Sequence, residues 1–132
     1  MAAATLAACA PARAVEITDL GFLRTSRPAA GYDLTVSFGS VCCGIDRQAL
    51  ERVSAHVQAS GLPTAAEAWG WGREGERTIG LRFASPADRD AFARELVALR
   101  KRLAASRPAP KGTQPDPAFE VRGAGAEGQT KS

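Results

Sequence analysis

Large side chains are scarce in this sequence. Its 132 residues include only five Phe, two Trp, one Tyr and one Met, within an apolar content of 45%. Much of that content is alanine, which buries little area, so the expected core is thin and stability modest. Three cysteines, Cys9, Cys42 and Cys43, are too few for a disulfide framework. No C-x-x-C places two sulfurs together at a helix start, and no second cysteine pair completes a four-ligand zinc site. The phosphate-loop pattern, H-E-x-x-H, a nucleophile elbow and a Ser/His/Asp set are all missing. No apolar run approaches the ~20 residues of a membrane-spanning helix. These gaps remove the familiar catalytic classes, imply no cofactor, and favour a protein that is not an enzyme.

Charge adds little. The net charge is +3 and the pI near 9.1. Arg89, Arg94, Arg100, Lys101 and Arg102 share one predicted helix, three of them in its last turn, where cations complement the helix dipole. They read as solvated helix charges, and nucleic acid is not an expected partner.

What is present is periodicity. Tyr32, Leu34, Val36 and Phe38 alternate with Asp33, Thr35 and Ser37, the period of a half-buried strand. Over 46–60 the period becomes helical: Ala49, Leu50, Val53 and Val57 share a face, with Asp46 as N-cap and Gly61 as the stop. Thr64–Trp71 and Arg77–Phe83 read as strands joined at Gly72-Arg73-Glu74-Gly75. Ser85-Pro86-Ala87-Asp88 opens a second helix with an apolar stripe of Phe92, Leu96, Leu99 and Leu103. Upstream, Val15, Ile17, Leu20, Phe22 and Leu23 suggest a strand whose alternation slips around Thr18–Gly21, as at a bulge. The loop Arg24–Gly31 would return it as a hairpin to Tyr32–Phe38.

The order β-β-α-β-β-α predicts one α+β domain over 15–104. Its β-α-β-β-α portion resembles the ferredoxin-like two-layer sandwich without the last strand. The resemblance implies an antiparallel or mixed four-stranded sheet with two helices on one face. The N-terminal strand would fill the vacant edge, making the sheet a circular permutation. From Ala105 to Ser132 the density of Pro and Gly predicts a disordered tail, with Phe119-Glu120-Val121 as a brief edge strand in the lesser alternative.

Residues 1–14 form an alanine-rich N-terminus with two export-like features. Leu6-Ala7-Ala8-Cys9 resembles a bacterial lipobox, making Cys9 a candidate lipidation site, and Ala12-Arg13-Ala14 fits a signal-peptidase pattern. No Lys or Arg precedes the apolar run, so the signal is incomplete. A periplasmic or envelope-attached protein is the expectation, a cytoplasmic one the alternative.

Two segments could carry chemistry. Phe38–Asp46 runs from a strand end to a helix start and contains Cys42 and Cys43. Amide groups at a helix start lower a nearby thiol's pKa, so thiol redox or soft-metal binding is one reading, and a vicinal disulfide another. The plainer alternative packs one thiol and leaves the other in solvent. The sole histidine, His56, lies ~15 Å farther along the helix and does not pair with them. Trp69-Gly70-Trp71-Gly72-Arg73-Glu74-Gly75-Glu76-Arg77 is the second segment. Trp69, Trp71, Arg73 and Glu74 are candidate binding residues, because Trp and Arg commonly anchor partners. Otherwise its tryptophans cover the end of the core. The functional expectation is a small exported binding or structural domain, its partner another envelope protein. The competing expectation is thiol redox or soft-metal chemistry at the Cys42-Cys43 turn.

Overall fold

The computed structural model describes residues 15–24, 31–40, 44–106 and 118–123. Strands β1 (Ile17–Phe22) and β2 (Leu34–Phe38) precede helix α1 (Arg47–Ser60). Strands β3 (Pro63–Trp71) and β4 (Glu76–Phe83) precede helix α2 (Pro86–Ala105), and β5 (Glu120–Gly123) follows. The protein is α+β, with one five-stranded mixed sheet in the order β1-β3-β4-β2-β5. All neighbours pair antiparallel except β1, which runs parallel to β3.

The helix ends form as their sequences dictate. Asp46 accepts from the Ala49 amide at 3.0 Å, and Gly61 closes α1 at φ 79°, a left-handed conformation that favours glycine. Ser85 accepts from the Asp88 amide at 3.1 Å, and Pro86 sits in the first turn, where its missing N–H costs nothing.

The apolar rows then meet in one cluster. Leu34, Val36 and Phe38 of β2 and Ile79 and Leu81 of β4 lie against Val53 and Val57 of α1 and Phe92, Leu96 and Leu103 of α2. Leu50 packs at the margin. On β3 the same face carries only Ala66 and Ala68, small enough for α1 to approach the sheet closely. The helices also touch each other: His56 stacks on Phe92 at 5.1 Å, and its Nε2 lies 2.7 Å from the Glu95 carboxylate. His56 thus joins the two helices from the flank of the stripe.

The strand arrangement departs from the sequence expectation at three points. First, β1 forms no hairpin with β2. It lies at the far edge, with Ile17 beside Ala66 of β3. The anticipated slip is present, between Asp19 and Phe22: Gly21 takes φ 80°, and its N–H donates to Asp19 Oδ1 at 2.8 Å. A strand whose alternation breaks there cannot line the edge of β2, which is buried along its whole inner row.

Second, the sheet has five strands, not four, because the Pro/Gly-rich region supplies β5. Val36 pairs with Val121, and Phe119 and Val121 are both buried. The Phe119 ring lies 5.5 Å from Phe38, and Arg100 Nη1 donates to the Phe119 carbonyl at 3.1 Å. Two apolar residues at the right alternation outweigh the turn-rich composition around them.

Third, Tyr32 does not continue the dry row of β2. It lies ahead of the strand, and its ring turns to the face without helices. The reason is Gly80: a Cβ there would come within 2.6 Å of the tyrosine ring, so only glycine leaves the seat open.

Candidate functional site

Side chains alternate along each strand, so the residues between the core positions form the helix-free face. There β3 presents Glu67, Trp69 and Trp71, β4 presents Thr78, Gly80 and Arg82, and β2 presents Thr35 and Ser37. This face is not simply solvated. Trp69 and Thr78 are both fully buried on it. Tyr32 packs against Trp69 with ring centroids 5.4 Å apart, and the Arg82 guanidinium lies 5.0 Å from the tyrosine centroid. Tyr32 Oη donates to the Glu67 carboxylate. Burial pushes the Tyr32 phenol up to about 12, its bond to Glu67 and that residue's charge add to the rise, and Arg82 opposes it. Trp71 Nε1 donates to Thr78 Oγ1 at 2.9 Å, and the Thr78 and Ser37 hydroxyls lie 3.0 Å apart. Trp69 Nε1 has no acceptor among the described residues. Both tryptophans therefore serve packing: they build a small second core instead of standing free.

The two segments singled out by sequence are neighbours. Ser40 Oγ donates to the Glu74 carboxylate and accepts from the Gly44 amide at 3.1 Å, which ties the β3–β4 turn to the β2–α1 connection. The Glu74 amide donates to Glu76 Oε1 at 2.8 Å, folding the turn on itself. Glu74 is thus a brace for the hairpin tip. Cys9, Cys42 and Cys43 lie outside the described residues. Among the described residues no three His, Cys, Asp or Glu side chains converge on a point that could hold a metal ion. No helix among them is long and apolar enough to cross a membrane.

The open surface lies at the other side of the hairpin. A cleft of about 370 Å³ separates the end of β1 from the turn, lined by Gly21, Phe22, Gly70, Trp71, Arg73 and Arg77, among others. Gly70 lies on its floor, where the Leu23 amide donates to the Gly70 carbonyl at 2.8 Å and holds the end of β1 against β3. Phe22 stands over this floor at 65% exposure; Leu20, on the other side of the slip, is 40% exposed. These are the large apolar side chains left in solvent among the described residues. Arg77 pairs with Asp19 at 3.6 Å, while Arg73 is exposed and has no ion pair among the described residues.

Of the sequence candidates, Trp71 and Arg73 line the cleft, Trp69 supports it from the buried face, and Glu74 holds the turn. Sequence reading missed Phe22, counting it as one more apolar residue of a strand. The slip at Gly21 was the signal available, because an extra residue there turns the next side chain onto the opposite face. Compared with protein-family models, curated proteins and solved structures, the chain matches none.

Proposed function

We propose that this is a non-catalytic interaction domain that docks through the hairpin end of its sheet. The observation that supports this reading is the placement of Phe22. In a sequence with so few large side chains, the most exposed of those described stands beside a glycine-floored cleft. An aromatic residue beside an uncommitted arginine is the composition that anchors protein contacts. The cleft walls are braced from behind by the bond between Trp71 and Thr78, so the surface is formed before a partner arrives.

Two finer readings go with this proposal. The succession β2-α1-β3-β4-α2-β5, in the spatial order β5-β2-β4-β3, supports a complete ferredoxin-like unit with β1 added outside β3. The Leu6–Cys9 and Ala12–Ala14 patterns support an exported, envelope-facing protein. Mass spectrometry of the mature chain tests the second: an intact N-terminus with an unmodified Cys9 removes it.

The docking reading is tested by pull-down from the envelope fraction. Phe22→Asp and Arg73→Glu should each lose captured protein without a change in thermal unfolding. Equal capture by both variants refutes the reading. Thiol chemistry at Cys42 and Cys43 remains the second reading, supported by the start of α1 four residues beyond Cys43. Thiols unreactive in a titration, with and without Cu(I) or Zn²⁺, would remove it.

A further inference from the structure

We propose that what enters this cleft is an acidic, aromatic-bearing stretch of a partner protein: a carboxylate held by Arg73 and Arg77, with a neighbouring ring laid against Phe22. The inference rests on the docking reading above and supplies the chemistry of what docks.

Strand register sets the geometry. Gly70 pairs with Phe22 of β1 on one side and with Arg77 of β4 on the other. Paired positions share a face of the sheet, so Phe22 and Arg77 flank a middle position that has no side chain. The gap is two strand spacings wide, roughly 10 Å. The Arg77 guanidinium reaches into it: a Cβ built on Gly70 would lie 3.9 Å from Arg77 Nη1. Arg73 lines the same cleft from the β3–β4 turn. Its volume of about 370 Å³ lies within the range of ligand cavities.

Counted as charges, the cleft is balanced; counted as hydrogen-bonding groups, it is not. Asp19 Oδ1 accepts from the Gly21 N–H at 2.8 Å, and Glu76 Oε1 accepts from the Glu74 N–H at 2.8 Å. Glu74 takes the Ser40 hydroxyl. The carboxylates are thus committed to the bulge and the turn that they close. The guanidiniums are not committed. The Arg73 side chain is exposed and has no ion pair or hydrogen bond among the described residues. Arg77 has the contact with Asp19 at 3.6 Å, longer than a hydrogen bond.

What this surface lacks is an acceptor, and a carboxylate is the group that matches a guanidinium fork. Asp19 and Glu76 keep their charge, so a densely anionic partner such as nucleic acid is repelled, whereas a carboxylate on a mostly apolar segment is not. Phe22 receives the adjoining ring in an offset or edge-to-face contact, because no side chain at Gly70 stands between it and the floor.

Magnetic-resonance titration of the isotope-labelled full chain tests the proposal, with circular dichroism to establish that each variant folds. The probe is the blocked peptide Glu-Phe-Glu-Gly; the controls are Gln-Phe-Gln-Gly, Glu-Gly-Glu-Gly and Lys-Phe-Lys-Gly. The acidic probe should shift the Arg73 and Arg77 Nε–H signals and the Phe22 amide, and should bind less tightly as salt rises. The glutamine control should bind about fivefold more weakly, and the control without a ring about tenfold more weakly. Arg73→Glu should reverse the preference toward the lysine peptide, a result that a purely structural Arg73 would not produce. Equal affinity for the carboxylate and amide peptides overturns the proposal, as do shifts confined to residues away from the cleft or no binding at millimolar probe. Capture of an envelope protein that is lost in Phe22→Asp, from a chain that ignores the acidic probe, would retain the docking reading and sink this one. A chain that neither captures protein nor binds the probe loses both.

Discussion

Replacing Phe119 with alanine measures how much of the fold depends on β5. The ring is 2% exposed, lies 5.5 Å from Phe38, and has the Arg100 guanidinium 5.9 Å from its centroid. Buried Phe→Ala substitutions cost about 3–5 kcal/mol, and a four-residue edge strand can relax into the gap, which favours the lower figure. Domains of this size are stable by ~5–10 kcal/mol, so a loss of about 3 kcal/mol removes roughly 30–60% of the total. With a urea m-value of about 1.5 kcal/mol/M, the unfolding midpoint should fall by about 2 M. Phe22→Ala is the internal control. It alters a side chain that is 65% exposed, and its effect should stay within about 0.5 kcal/mol. If Phe119→Ala shifts stability no more than that control, β5 does not belong to the cooperative core and the account of the closed β2 edge fails.

Three further outcomes follow from the helix-free face and the helix caps. Tyr32 is the sole tyrosine, so ultraviolet titration reports it alone: ionisation should occur near pH 12 in the folded protein and near 10 once unfolded. Because the folded-state value is the higher one, the unfolded chain releases its proton first. Stability from this group is complete below pH 10 and is lost as pH rises toward 12. Glu67→Gln should lower the folded-state value without returning it to 10, since burial persists; an unchanged titration would show that Glu67 does not hold the phenol. Gly80→Ala should cost about 1–3 kcal/mol by displacing the Tyr32 ring, and should move the tyrosine titration back toward 10. An alanine variant with native stability and an unshifted titration would mean the ring does not sit on Gly80. Ser85→Ala removes the acceptor for the Asp88 amide and should cost about 1 kcal/mol, read as a thermal shift of about 4–8 °C.

The parts legible in the sequence were those decided locally. The α2 stripe, its Ser85 cap, the Asp46 and Gly61 ends of α1, and the alternation of β2 each depend on neighbours within a turn or two, and each formed where the pattern placed it. Even the irregularity at Gly21 was visible, because a broken period is itself a local signal. Partner choice was not local. Whether β1 or the Phe119–Val121 segment closes β2 depends on which offers apolar residues to a fully buried row, and composition around Phe119 pointed the other way. Tyr32 misled for a related reason: its place in an alternating run suggested the core, but a glycine 48 positions later in the chain opened a seat on the opposite face. The candidate site followed the same division. Trp71 and Arg73 could be chosen by residue type, whereas Phe22 became significant only once β1 lay beside Gly70.

The pairing of β2 with β5 also sets a schedule for the chain. Thr35 bonds to the Arg122 carbonyl, 87 positions away, so β2 gains its outer neighbour only when a segment far along the chain returns to it. Loop closure over such a span is slow compared with helix formation. Until it occurs, β2 keeps a bare flank and the inner faces of Phe38 and Val36 lack their cover. A chain of this design keeps one side of β2 uncovered until that distant pairing forms, so the core becomes compact only when the segment around Val121 has joined it.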